Sequence, residues 1–146
     1  MNNKLFLSVQ YASVASHLPT RAQLRRWIKI ALQRDANITL RLVDEPEGRQ
    51  LNKNYRGKNY ATNVLTFVYN DAELFEGDVV ICAPVVQQEA IDQHKGLLAH
   101  YAHLTLHAIL HLQGHDHDNE ADAAEMEAWE TALMLKLRYP DPYQAN

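Results

Sequence analysis

The chain has a single cysteine, Cys82, so no disulfide can form within it, and a reducing, cytoplasmic setting is expected. Only five glycines and five prolines occur among 146 residues. That excludes a collagen-like fibre and a low-complexity tract, and no Gly/Ser linker divides the chain. One domain over residues 1–146 is therefore expected. No apolar run approaches the roughly 18 residues of a membrane helix, so no membrane contact is foreseen. The opening MNNKLFLSVQ carries one lysine and a short mixed run, unlike a secretory leader.

Basic residues are scarce after position 60, where Lys95, Lys136 and Arg138 stand against 14 acids. Residues 1–60 reverse the balance, with 11 Lys and Arg against four acids. Such a split suits a polyanionic partner on one part of the surface, unless folding intermixes the two signs. What the chain has in excess is histidine: eight in all, seven of them from position 94 to position 117.

Apolar periodicity lays out the elements. Lys4–Gln10 reads as a strand. Thr20 with Gln23 forms a capping-box pattern ahead of a helix carrying Leu24, Trp27, Ile28, Ala31 and Leu32. Ile38–Val43 alternates as a half-buried strand. A short helix from Pro46 to Asn54 and a polar loop from Tyr55 to Tyr60 follow, then strands at Val64–Tyr69 and Asp78–Cys82. Pro84 suits the first turn of a helix running to about His94. Gly96 separates it from Leu97–Gln113, which Gly114 stops. Asn119 can cap a last helix turning Ala123, Met126, Ala128, Trp129, Leu133 and Leu137 to the core. This order does not fit a doubly wound sheet; it predicts an α+β fold with a small mixed four-stranded sheet packed with about five helices.

The chemistry concentrates in His107-Ala-Ile-Leu-His111-Leu-Gln-Gly114-His-Asp-His117. Residues four apart share a helix face, so His107 and His111 can offer two imidazoles to one ion. A turn at Gly114 can bring back His117 as third ligand. Three histidines with an open position suit a catalytic zinc, whose bound water ionises near neutral pH. The spacing matches the long zincin pattern, but Ala108 stands where a peptidase needs its Glu base. His115 could compete with His117, and His103 could touch substrate, act as a base, or be a hydrogen-bonded structural residue. His94 and His100 read as surface residues. Asp116 could orient a ligand or accept a proton, or simply hold the turn. Cys82, in an apolar strand, reads as a buried structural thiol.

Three stretches carry a resemblance: Leu51–Phe67 with its Tyr-Arg56-Gly-Lys58 core, Gly77–Cys82, and His100 through His117, Glu125-Met-Glu127 and Glu130 to Asp141-Pro-Tyr143. In order and residue type these are similar to the bacterial YbeY family of metal-dependent endoribonucleases. The resemblance implies a zincin-like fold, with His107, His111 and His117 as ligands of one Zn2+ per chain. It also implies a functional arginine at Arg56, and cleavage of single-stranded RNA in 16S rRNA 3′-end maturation, ribosome assembly and rRNA quality control. The implied partners are small-subunit rRNA, the small ribosomal subunit and an Era-type GTPase. Ala108, where some relatives have Gly, and His115, where many have Tyr, depart from the family pattern. Arg56 offers a planar fork that matches phosphate. Arg21, Arg25, Arg26 and Lys29 either extend a phosphate track or form a solvated helix face. The competing readings are a non-catalytic assembly factor with a structural metal and a zinc peptidase.

Overall fold

A computed structural model describes residues 3–115 and 118–144. Four strands and five helices follow one another as β1 (Leu5–Ala12), α1 (Arg21–Ala31), β2 (Ala36–Val43), α2 (Glu45–Arg56), β3 (Val64–Asp71), β4 (Phe75–Cys82), α3 (Ala83–Asp92), α4 (Leu97–Leu112) and α5 (Glu120–Lys136). The sheet order is β1-β2-β4-β3. β1, β2 and β4 are parallel, while β3 returns antiparallel beside β4. The α+β architecture with a mixed four-stranded sheet is the one the sequence pattern predicts.

The two faces of the sheet are unequal. Ile38, Leu40 and Leu42 of β2 and Phe75, Val79 and Ile81 of β4 enter the main core under α1 and α4, together with Trp27, Tyr101 and Ile109. Val43, Leu65, Val80 and Cys82 point the other way into a smaller cluster with Leu51 of α2. Because β4 is covered on both faces, Val79–Cys82 is buried without alternation. Burial raises the pKa of the Cys82 thiol, as expected of a structural cysteine.

The caps fall where sequence places them. Thr20 Oγ1 accepts from the Gln23 amide at 3.1 Å while the Gln23 side chain accepts from the Thr20 amide at 2.9 Å. Asn119 Oδ1 accepts from the Asp122 amide at 2.8 Å. Gly114 adopts φ 98°, a left-handed turn closing α4.

Three expectations need correction. The Pro46–Asn54 helix continues through Tyr55 to Arg56, so Arg56 is helical and not in the loop. Ala128 faces solvent, since the inward stripe of α5 is Met126, Glu130, Leu133 and Met134. His100 is buried, 4% exposed, because α4 is surrounded on most of its circumference and its Nε2 meets Glu89 Oε1 at 2.9 Å. The prediction of an exposed His94 holds. Among the described residues, no helix is long and apolar enough to cross a membrane.

Candidate functional site

β3 is an edge strand, and its free side lines a cavity of about 630 Å³. Cys82 N donates to Asn63 O at 3.0 Å. That phases the antiparallel ladder so that Leu65 and Phe67 exchange bonds with β4. The backbone groups of Val64 and Thr66 therefore point into the cavity. His107 and His111 of α4 and Tyr55 and Arg56 from the end of α2 line the same cavity.

The helix spacing does bring the two histidines together. Their rings are parallel within 2°, with centroids 6.4 Å apart. Glu130, 1% exposed and projecting from α5, accepts from His107 Nδ1 at 3.0 Å. A carboxylate can only accept, so His107 donates through Nδ1 and Nε2 is the ring nitrogen turned away from Glu130. That is how a metal-binding imidazole is usually oriented. Two imidazoles so presented fit the nitrogen donors that zinc takes. Among the described residues no third His, Cys, Asp or Glu completes a metal-holding group with them. His117 and Asp116, the expected third ligand and proton acceptor, lie outside the described residues.

Glu130 also accepts from His103 Nε2 at 2.5 Å and from the Tyr143 hydroxyl at 2.6 Å. Burial alone would raise its pKa, but hydrogen bonds from His103, His107 and Tyr143 outweigh burial and bring it down to about 2. Tyr143 is pushed up in turn, by burial first and by Glu130 second. His103 thus faces away from the cavity, as the hydrogen-bonded residue that one of its sequence readings describes, and not as a base at the reacting centre. His115 is directed elsewhere too, with Nε2 2.9 Å from Gln33 Oε1 and its ring edge on Trp129.

Glu130 is the residue that sequence reasoning passed over as chemistry. The available signal was a charged side chain at an inward position of α5, four after Met126 and three before Leu133.

Arg56 is exposed at the cavity wall and makes no ion pair among the described residues. Its backbone is held firmly. Gly57 takes φ 70° and its amide donates to Lys53 O at 3.1 Å, while buried Asn52 donates from Nδ2 to Tyr60 O at 2.7 Å. By contrast, Arg21 and Arg25 donate to the carbonyls of Val9 and Leu5 on the outer edge of β1. These two arginines, exposed like Arg26 and Lys29, brace the sheet edge, and Arg26 and Lys29 are the α1 cations without such a bond among the described residues.

A family model described as "Endoribonuclease YbeY" matches residues 9–138. Relatives named Endoribonuclease YbeY include one from Thiobacillus denitrificans, 52% identical over 99% of this chain and 100% of its own. Another, from Methylobacillus flagellatus, is 51% identical over 98% of this chain and 96% of its own. A third, from Nitrosospira multiformis, is 52% identical over 96% and 82%. Among solved structures, the solution structure of TM1509 from Thermotoga maritima superposes with a TM-score of 0.60 at 22% identity, covering 95% of this chain and 99% of that one. That last likeness bears on the fold.

Proposed function

This chain belongs to the YbeY endoribonuclease family, and on that premise we propose that it is a zinc-dependent, single-strand-specific endoribonuclease of 16S rRNA 3′-end maturation, ribosome assembly and rRNA quality control. The observation that carries the reading is the cavity whose lining brings together an uncommitted guanidinium, Arg56, with His107 and His111. Hydrolysis of RNA loads negative charge onto the phosphoryl oxygens. Arg56 meets that charge with two parallel N–H donors. Zinc held by His107, His111 and His117 would supply Lewis-acid stabilisation of the same charge. Glu130 keeps His107 in the tautomer and orientation that binding requires. Asp116 is the acceptor proposed for the proton released during attack. Small-subunit rRNA is the proposed substrate, with the small ribosomal subunit and an Era-type GTPase as partners and the cytoplasm as location.

The peptidase alternative loses ground in this fold. Ala108, at the position of a peptidase base, is fully buried in the core and does not line the cavity. The test is metal analysis of purified protein paired with cleavage of a single-stranded RNA, for wild type and His111→Ala. Wild type is expected to carry one zinc and cut, and the variant to lose both. Pure, zinc-loaded protein that cuts nothing would replace this reading with the non-catalytic assembly factor.

A further inference from the structure

Tyr55 stands out beside Arg56. Its side chain lines the cavity, yet the residue is 67% exposed. The hydroxyl makes no hydrogen bond among the described residues, so no polar contact accounts for the ring's position. One packing contact steadies it: Phe67 of β3 lies edge-on at 5.0 Å between centroids, at 64°. This T-shaped contact leaves most of the ring surface in solvent. Tyr55 also sits on the last turn of α2, where Gly57 and Asn52 fix the backbone. A tyrosine has only two side-chain torsions, so little freedom is lost when a partner settles on it.

We propose that Tyr55 is a stacking platform for one base of the single-stranded RNA, adjoining the phosphate that Arg56 binds. The proposal deepens the nuclease reading and rests on it for the identity of the ligand. Every base has a π-face, so such a platform holds RNA without selecting a sequence. It also explains a preference for single strands, since bases in a duplex are already stacked and not available. The neighbouring groups agree with this occupant. A cation for the backbone comes from the next residue, and the outward amides and carbonyls of Val64 and Thr66 can meet the edges of an unpaired base.

The experiment uses a short single-stranded oligoribonucleotide with 2-aminopurine placed at successive positions. It is titrated against wild type, Tyr55→Ala, Tyr55→Phe and Tyr60→Ala, with cleavage measured on the same strand. Tyr60 is a control: exposed, but not in the cavity wall. Wild type should quench one 2-aminopurine position. Tyr55→Ala should lose that quenching and bind about tenfold more weakly, the scale of one lost base–aromatic stack, with kcat within a few-fold of wild type. Tyr55→Phe and Tyr60→Ala should match wild type. Cleavage and binding that ignore Tyr55→Ala overturn the stacking role and leave the nuclease reading intact. Tyr55-dependent binding by pure protein that cuts nothing keeps the platform and overturns the nuclease reading. No RNA binding by wild type overturns both, and would leave the ring as a contact for a protein partner.

Discussion

Two side chains, one at the cavity and one behind it, are expected to separate chemistry from structure. Arg56 is exposed and unpaired with any described carboxylate, so its removal should leave the fold untouched. Arg56→Ala is expected to lower kcat by about 10²–10³, the usual loss of one transition-state donor, with an unchanged melting curve. Arg56→Lys should recover little, because a point charge does not replace a two-pronged fork. Single-turnover cleavage alongside thermal melts checks both. Glu130 acts at one remove, through the His107 ring. Glu130→Gln preserves volume but presents a neutral amide where a carboxylate orients the imidazole. Zinc affinity is expected to fall about 10–100-fold, measured by competition with a chelator. The reason Glu130 escapes a reading of the sequence is physical. A buried carboxylate is tolerable only when three donors converge on it, and these come from α4 and from the tail beyond α5.

The elements themselves are largely legible in the chain. Their order, both side-chain caps and the helix breaks at Gly96 and Gly114 follow from local rules that act over a few residues. What local rules miss is context. His100 reads as a surface residue because histidine usually is, but α4 is enclosed by α1, α3, α5 and the sheet. Ala128 reads as core because alanine is apolar, although a methyl group is too small to set which way a helix faces. The end of α2 is the element on which the cavity depends most. Gly57 holds φ 70°, a conformation that costs an L side chain roughly 1–2 kcal/mol. Gly57→Ala should therefore lower the melting temperature by about 3–7 °C. Cleavage should fall as well, since the turn carries Tyr55 and Arg56; calorimetry and initial rates test the two effects. Gly57→Asn should be milder, because asparagine visits this region more readily.

At the scale of the molecule, acid should weaken the frame behind the cavity. Glu89 of α3 joins buried His100 of α4 to Asn63, the residue that leads into β3. Burial acts to raise the Glu89 pKa, but hydrogen bonds from His100 and Asn63 and the charge of Lys95 outweigh it and hold it below the ordinary 4.5. A folded-state pKa below the unfolded one gives stability that is complete above the unfolded value. That stability is lost as pH falls through the folded value. Wild type should thus lose denaturant resistance below about pH 4.5, while Glu89→Gln starts lower at neutral pH and loses less on acidification. Urea midpoints at neutral and acidic pH decide it, and equal losses would remove Glu89 from the account. The two rims of the sheet also differ in a way that bears on self-association. Arg21 and Arg25 occupy outward carbonyls of β1, whereas the outer side of β3 stays open to the cavity. A sheet that can accept a foreign strand on one side only cannot propagate. The β1 rim, with the Leu5 and Val9 carbonyls already bonded, offers an added strand fewer free groups than the β3 rim, so growth of a fibril from that side is disfavoured.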